Sequence, residues 1–101
     1  TEERFDLVVL ADVLYYLGDI IFPEAFRETL ARIASIISDD GEVLVTHYVA
    51  PWRSEAVLEE LYLETFFSLG FVLVRKESFE YNGRVWVHAL LRKPKKQNVF
   101  V

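Results

Sequence analysis

Hydrophobic residues occur along the chain in short blocks whose spacing changes from one block to the next. Phe5–Ala11 is a nearly continuous apolar run, which is typical of a strand buried on both faces, as in a parallel sheet. Pro23 suits the first turn of a helix, because its ring presets φ and a first-turn N–H has no helical partner. Apolar residues recur around it at helical spacing: Phe22, Phe26, Leu30, Ile33 and Ile37. The pattern predicts a strand and then a helix.

A second strand and a second helix follow. Asp39-Asp40-Gly41 is predicted to end the first helix, and Glu42–Tyr48 has the alternation of a strand. Ser54 is a residue type that caps helices. The segment after it carries a wide apolar face: Val57, Leu58, Leu61, Tyr62 and Phe66. Gly70 is predicted to end this second helix.

The last third of the chain predicts a β-hairpin. Phe71–Phe79 and Arg84–Lys93 have strand patterns, and Asn82-Gly83 between them favours a tight turn because both residues tolerate a positive φ. The element order is therefore β-α-β-α-β-β, an α/β sheet with a parallel pair and a terminal antiparallel hairpin. Arg84–Lys93 is apolar on both faces, so we expect it inside the sheet, between Glu42–Tyr48 and Phe71–Phe79 and antiparallel to both.

Composition and charge exclude several classes of protein. The 101 residues are 52% hydrophobic, which is enough for one packed domain, and the net charge of −5 argues against nucleic acid as the main partner. Without cysteine there is no disulfide or thiolate metal site, as is typical of a cytoplasmic protein. No apolar run has the length of a membrane span, and the acidic start is unlike a signal peptide.

Two charged clusters are predicted to face solvent. The basic residues near the end of the chain are interpreted as a solvated tail: Arg92, Lys93, Lys95 and Lys96. An acidic stripe at helical spacing has no histidine beside it, so it is interpreted as a solvated face and no metal site is predicted: Glu55, Glu59, Glu60 and Glu64.

Particular residues carry a family resemblance. Phe5-Asp6-Leu7-Val8-Val9, then Asp12-Val13-Leu14-Tyr15-Tyr16-Leu17, an amphipathic helix and a closing hairpin resemble the second half of a class I S-adenosylmethionine-dependent methyltransferase, from its fourth strand to its seventh. The Val-Leu-Tyr-Tyr-Leu stretch is most similar to nodulation N-methyltransferases, which act on chitooligosaccharide. The resemblance implies a Rossmann-like partial sheet, whose reversed last strand matches the Asn82-Gly83 hairpin, and S-adenosylmethionine as the cofactor of the complete protein.

The family's glycine-rich loop, Asp/Glu-x-Gly-x-Gly, has no counterpart in the sequence, and Asp39-Asp40-Gly41 replaces the usual Pro-Gly-Gly. The chain also begins without Met and contains none, so Thr1 is expected to be a cut end, and residues 1–101 a single C-terminal subdomain of a longer chain. The resemblance implies methyl transfer to nitrogen or oxygen of a small molecule, with the isolated chain inactive. The alternative is a non-catalytic assembly or regulatory module derived from a methyltransferase half.

The Phe5–Ala11 strand carries a further expectation about partners. In a sheet built from this chain alone it lies at an edge, and an apolar strand with an open edge invites association. We expect the missing N-terminal half, or a second copy of the chain around a twofold axis, to pair there.

Candidate site residues lie at the carboxyl ends of the first two strands, where open α/β sheets bind ligands. In the resembling family the first of these ends adjoins the methionine part of the cofactor, which implies cofactor-binding roles for Ala11, Asp12 and Val13. The Asp12 carboxylate is either a catalytic group that orients a substrate amine or accepts its proton, or a cap for the following turn.

His47 and Tyr48 end the second strand and are expected to converge with Asp12 on one site. His47 is either a catalytic base or a structural residue. Tyr48 and Trp52 either line a substrate pocket or cover the core. His88, within the last strand, is expected to be structural and remote from this edge.

Overall fold

The computed structural model describes residues 3–11, 23–49 and 62–95. In chain order the elements are β1 (Phe5–Ala11), α1 (Pro23–Ser35), β2 (Ile37–Val49), α2 (Glu64–Ser68), β3 (Val72–Tyr81) and β4 (Arg84–Arg92). The four strands form one sheet in the order β1-β2-β4-β3. β1 and β2 are parallel, and β4 is antiparallel to both β2 and β3. The predicted position and direction of the last strand are confirmed.

The turn between β3 and β4 has the predicted backbone geometry. Asn82 has φ 51° and Gly83 has φ 74°, the pair of positive values that a type I′ hairpin turn requires. Tyr81 and Arg84 are paired directly across it. The turn therefore fixes the register of the whole hairpin.

Gly70 ends α2, as predicted, through a Schellman motif. Its φ is 91°, which reverses the chain so that its N–H donates to the Phe67 carbonyl oxygen at 2.9 Å and the Phe71 N–H donates to that of Phe66 at 3.0 Å. The rings of Phe66 and Phe71, 5.2 Å apart between centroids, supply the apolar contact that accompanies this motif.

The boundary between α1 and β2 differs from the prediction. The helix ends at Ser35, and Ile37 is the first residue of β2, paired with Phe5. The Phe5 N–H donates to the Ile36 carbonyl oxygen at 2.8 Å, which holds the junction against β1. Ile37 is fully buried, and a buried isoleucine satisfies both the helical and the strand pattern, so spacing alone assigned it to the wrong element.

Asp39-Asp40-Gly41 lies inside β2 and does not separate it from the helix. The β1–β2 register moves from Phe5↔Ile37 to Leu7↔Glu42, so β2 carries extra residues at this point. Asp40 takes up the irregularity with φ 64°. A Cβ at Gly41 would lie 2.7 Å from Ile37 Cγ2, which is why glycine is required here.

The two faces of the sheet have different environments. On the covered face, α1 and α2 pack against alternate residues of β2 and β4, and their buried apolar side chains form the core: Phe26, Leu30, Phe66, Val43, Val45, Val87, Ala89 and Leu91. The opposite face, called the open face below, leaves Leu7 55% and Val9 51% exposed. Strand residues two apart share a face, so this exposure extends along β1.

The edge strands also differ. β1 has a single charged residue, Asp6, whose carboxylate accepts a hydrogen bond from Ser38 Oγ on β2 at 2.7 Å. β3 instead carries several charged residues, among them Arg75, Lys76 and Glu77, and its register shifts between Leu73 and Arg75. Charges and bulges are devices that protect an edge from strand addition. β3 therefore has protection that β1 lacks.

The basic cluster is only partly a solvated tail, which corrects the prediction. Arg92 is the last residue of β4 and forms an ion pair with Glu42 at 3.2 Å. Lys93 is partly buried, and its ammonium group donates to the carbonyl oxygens of Ala34 in α1 and of Ile37, the first residue of β2. Lys95 is exposed and pairs with Asp40. Lys96 lies outside the described residues.

Candidate functional site

The carboxyl end of β1 lies beside residues of two further strands. Ala11, the last residue of β1, is paired with Thr46 of β2, and Thr46 is paired with His88 of β4. Paired residues share a face, and Ala11 is exposed, so this row lies on the open face. His88 is therefore two strands from Ala11 in the same row, which corrects the expectation that it is remote.

His47 lies on the covered face, in the aromatic part of the core. Its side chain is 1% exposed, and its ring meets the ring of Tyr62 edge-on at 5.7 Å between centroids. Tyr62 in turn packs against Phe26 of α1 at 5.1 Å. This environment shields the imidazole from bulk water.

Tyr48 lies on the open face, because consecutive strand residues point to opposite sides of a sheet. Its ring centroid is 5.4 Å from that of Trp86, its register partner on β4. The side chains of His47 and Tyr48 therefore do not converge, contrary to the expectation of one shared site. Their individual roles remain predictions.

Tyr48 belongs to a group of rings on the open face. Trp86 is paired with Phe79 of β3 as well as with Tyr48, and the Phe79 ring lies 4.8 Å from the ring of His88. We call Tyr48, Trp86, Phe79 and His88 the aromatic row. Counting back from the Asn82-Gly83 turn gives the pairs 79–86 and 77–88, so hairpin register was the signal that would have placed Phe79, Trp86 and His88 together.

Four charged residues of the open face form two ion pairs. Arg92 Nη2 lies 3.2 Å from Glu42 Oε2, and Arg75 Nη1 lies 3.5 Å from Glu77 Oε1. A shallow cleft of about 320 Å³ runs between these pairs, with Leu7, Leu44, Leu90 and His88 among its lining residues. The cleft beside the aromatic row is thus largely apolar, and the exposed Arg84, two residues before Trp86 on β4, is a further charge on the same face.

Three of the predicted site residues lie outside the described residues: Asp12, Val13 and Trp52. Their roles remain predictions from the sequence. Among residues 3–11, 23–49 and 62–95, no group of three or more His, Asp or Glu side chains has a metal-binding arrangement. No helix in these ranges is long and apolar enough to cross a membrane.

Known structures share this fold. N-methyltransferase NodS from Bradyrhizobium japonicum WM9, crystallised with S-adenosyl-L-homocysteine, has a TM-score of 0.71 and 18% identity over 94% of this chain and 49% of its own. The 1,6-didemethyltoxoflavin-N1-methyltransferase of Burkholderia thailandensis has a TM-score of 0.69 and 20% identity, over 94% of this chain and 46% of its own. The predicted methyltransferase-like α/β fold is confirmed.

A third structure, the magnesium protoporphyrin IX methyltransferase ChlM from Synechocystis PCC 6803 with bound SAM, has a TM-score of 0.58 and 16% identity, over 92% of this chain and 41% of its own. The chain therefore spans about half the length, or less, of these similar structures. No protein-family model matches the sequence, and no curated protein sequence matches it.

Proposed function

We propose that residues 1–101 are the C-terminal part of an S-adenosylmethionine-dependent methyltransferase that methylates nitrogen or oxygen of a small molecule. The observation that carries this proposal is the sheet itself, in which a parallel pair is followed by an antiparallel last strand inserted beside β2. Solved methyltransferases with S-adenosylhomocysteine or S-adenosylmethionine bound share this fold.

The cofactor side of the proposed site is the carboxyl end of β1. Methyl transfer needs the nucleophile, methyl carbon and sulfur in line within a water-poor pocket, so positioning supplies much of the acceleration. Ala11 is exposed at this end and has a small side chain, which leaves room for a ligand. In this proposal Ala11, Asp12 and Val13 contact the cofactor, and Asp12 orients the acceptor amine or accepts its proton.

The substrate side is the end of β2. Tyr48 lies on the open face in contact with Trp86, and in this proposal it lines the substrate pocket together with Trp52. His47 acts as a base only for a group that reaches the covered face, because its ring packs against Tyr62 beneath the helices. His47 and Tyr48 therefore serve different sides of the strand end.

The proposed enzyme requires polypeptide in addition to these residues. The glycine-rich loop of the resembling family has no counterpart in the sequence, and the chain covers 49% of the NodS structure. The unprotected β1 edge, with Leu7 and Val9 exposed, is where we place the additional segment. Without it the chain lacks several buried polar contacts to the cofactor, each worth about 1–3 kcal/mol, and is inactive.

A non-catalytic assembly or regulatory module is the second candidate. The specific observation in its favour is that the exposed apolar β1 edge is available for strand addition. A module of this kind needs the edge and the fold but no carboxyl-end chemistry. If the chain is such a module, we expect it to bind a partner protein, and we expect Asp12 to make no contribution to that binding.

Calorimetric titration with S-adenosylmethionine tests the proposal. We expect the complete protein to bind the cofactor with micromolar affinity, and residues 1–101 alone to bind it at least about 100-fold more weakly, since two lost contacts of this size suffice. Failure of the complete protein to bind would refute the enzyme and favour the module. Micromolar binding by residues 1–101 alone would refute the requirement for an additional segment.

A further inference from the structure

The aromatic row forms a continuous strip across three neighbouring strands. Tyr48, Trp86 and Phe79 are register partners on β2, β4 and β3, and the ring centroids of Tyr48 and Trp86 are 5.4 Å apart. His88 extends the strip along β4, with its ring 4.8 Å from that of Phe79. Two strand spacings give the strip a width of about 10 Å, enough to hold a fused two-ring heterocycle.

The strip is accessible and lies next to the proposed cofactor position. Phe79 is 45% exposed, and Tyr48, Trp86 and His88 are half-buried, so each ring is both held by neighbours and open to solvent. His88 shares its cross-strand row with Ala11 through Thr46. A molecule on the strip therefore lies beside the end of β1, where the proposal places the methyl donor.

The side chains around the strip favour a flat ligand that is held through its rings. Glu77, the register partner of His88, is paired with Arg75, and Glu42 is paired with Arg92. These two pairs balance their own charges, and the exposed Arg84, two residues before Trp86 on the same face, adds one positive charge at the turn end of the strip. A sugar needs many directed hydrogen bonds in addition to stacking, whereas a planar heteroaromatic ring is held mainly through its π-face.

We infer that the aromatic row binds the methyl acceptor by stacking, and that the acceptor is a planar heteroaromatic compound. This inference rests on the proposed function, because it names the substrate class of the same site. Tyr48 contributes to this surface from β2, and Trp86, Phe79 and His88 contribute from the terminal hairpin. The hairpin then has a recognition role in addition to completing the sheet.

Fluorescence titration of the 101-residue chain tests the inference directly. The chain has two tryptophans, so quenching is measured in the unmodified chain and in Trp86→Phe, which removes the reporter within the strip. The probe is lumazine, an uncharged fused two-ring heterocycle, with free N-acetyltryptophanamide as the control for light absorption by the probe. We expect saturable quenching of Trp86 by lumazine.

Matched substitutions locate the binding. Phe79→Leu should weaken lumazine binding about tenfold, which is the effect of losing one stacking partner. Phe67→Leu removes an aromatic ring of similar exposure, 40%, from α2 and should leave lumazine binding unchanged. Circular dichroism of both variants establishes that each retains the fold.

Three results would overturn the inference: no saturable quenching at millimolar lumazine, equal weakening by Phe79→Leu and Phe67→Leu, or binding of chitotetraose in place of lumazine. The proposed function fails by a different observation, the absence of S-adenosylmethionine binding by the complete protein. Lumazine binding that depends on Phe79, in a protein without cofactor affinity, would keep the aromatic site and reject the methyltransferase.

Discussion

The ammonium nitrogen of Lys93 lies 2.8 Å from the carbonyl oxygen of Ile37, and it donates a second hydrogen bond to the Ala34 carbonyl oxygen at 2.9 Å. Carbonyl groups at the end of a helix have no partner within the helix. Lys93, which follows β4, therefore supplies hydrogen-bond donors to carbonyl groups at the junction between α1 and β2. Backbone hydrogen bonds add to this link, because the Asp40 N–H donates to the Lys93 carbonyl oxygen and the Lys93 N–H to that of Gly41.

Lys93→Met should lower the free energy of unfolding by about 1.5–3 kcal/mol, the usual effect of losing hydrogen bonds to a charged group. Urea denaturation followed by circular dichroism measures this change. Lys95→Met is the matched control, since that lysine is exposed and forms a surface ion pair with Asp40, which contributes about 0–1 kcal/mol. An equal loss of unfolding free energy in the two variants would contradict the stabilising role of the Lys93 hydrogen bonds at the α1–β2 junction.

Gly70→Ala should destabilise the chain by about 1–2 kcal/mol, because a Cβ is unfavourable at φ 91°. The added Cβ would not clash, because the nearest atom, Pro94 Cγ, is 3.4 Å away. The expected loss therefore comes from the backbone conformation. Gly70→Asn should cost less, since asparagine tolerates a left-handed backbone better. Thermal unfolding of both variants checks the order, and a smaller loss for alanine than for asparagine would be the wrong result.

Asp12→Ala should reduce turnover of the complete protein by about 100-fold or more, which is the usual contribution of a group that takes up a proton in the transition state. The measurement is transfer of a labelled methyl group at saturating S-adenosylmethionine. Glu64→Ala removes an exposed carboxylate from α2 and should leave turnover unchanged. Unchanged turnover in the Asp12 variant would leave Asp12 as a cap for the turn after β1.

Residues 1–101 alone should self-associate at micromolar concentration through the β1 edge, because exposed apolar edges pair with other strands. Val9→Lys should shift the chain to monomer, measured by light scattering after size-exclusion chromatography. Val72→Lys is the control on the protected edge strand, where Val72 is 56% exposed, and should not change the association state. A monomeric parent chain would show that the β1 edge needs no neighbour.

Local patterns predicted most of the fold. The Asn82-Gly83 turn, the end of α2 at Gly70 and the bounds of β1 follow from backbone preferences that act within a few residues. Ile37 was assigned to the helix but begins β2. A buried isoleucine fits the apolar pattern of either element, so the sequence pattern did not distinguish them. The true start of β2 depends on pairing with Phe5, a contact between residues far apart in the chain.

The site was harder to predict than the fold, because it depends on which strands become neighbours. Ala11 and His88 are far apart in sequence and enter one row only through Thr46. Strand alternation places the side chains of His47 and Tyr48 on opposite faces, although both residues lie at the same strand end. The structural role of Lys93 left no sequence signal, since a lysine beside other basic residues is typical of a solvated tail.

The unequal edges of the sheet also limit how far this chain can assemble. A fibril grows without end only when each added unit offers a fresh edge that accepts the next one. Here Arg75, Lys76, Glu77 and the register shift after Leu73 obstruct one side of every copy. When two copies pair through β1, each has used the only sheet edge that accepts another strand. No further copy can then be added, and the assembly is closed and finite.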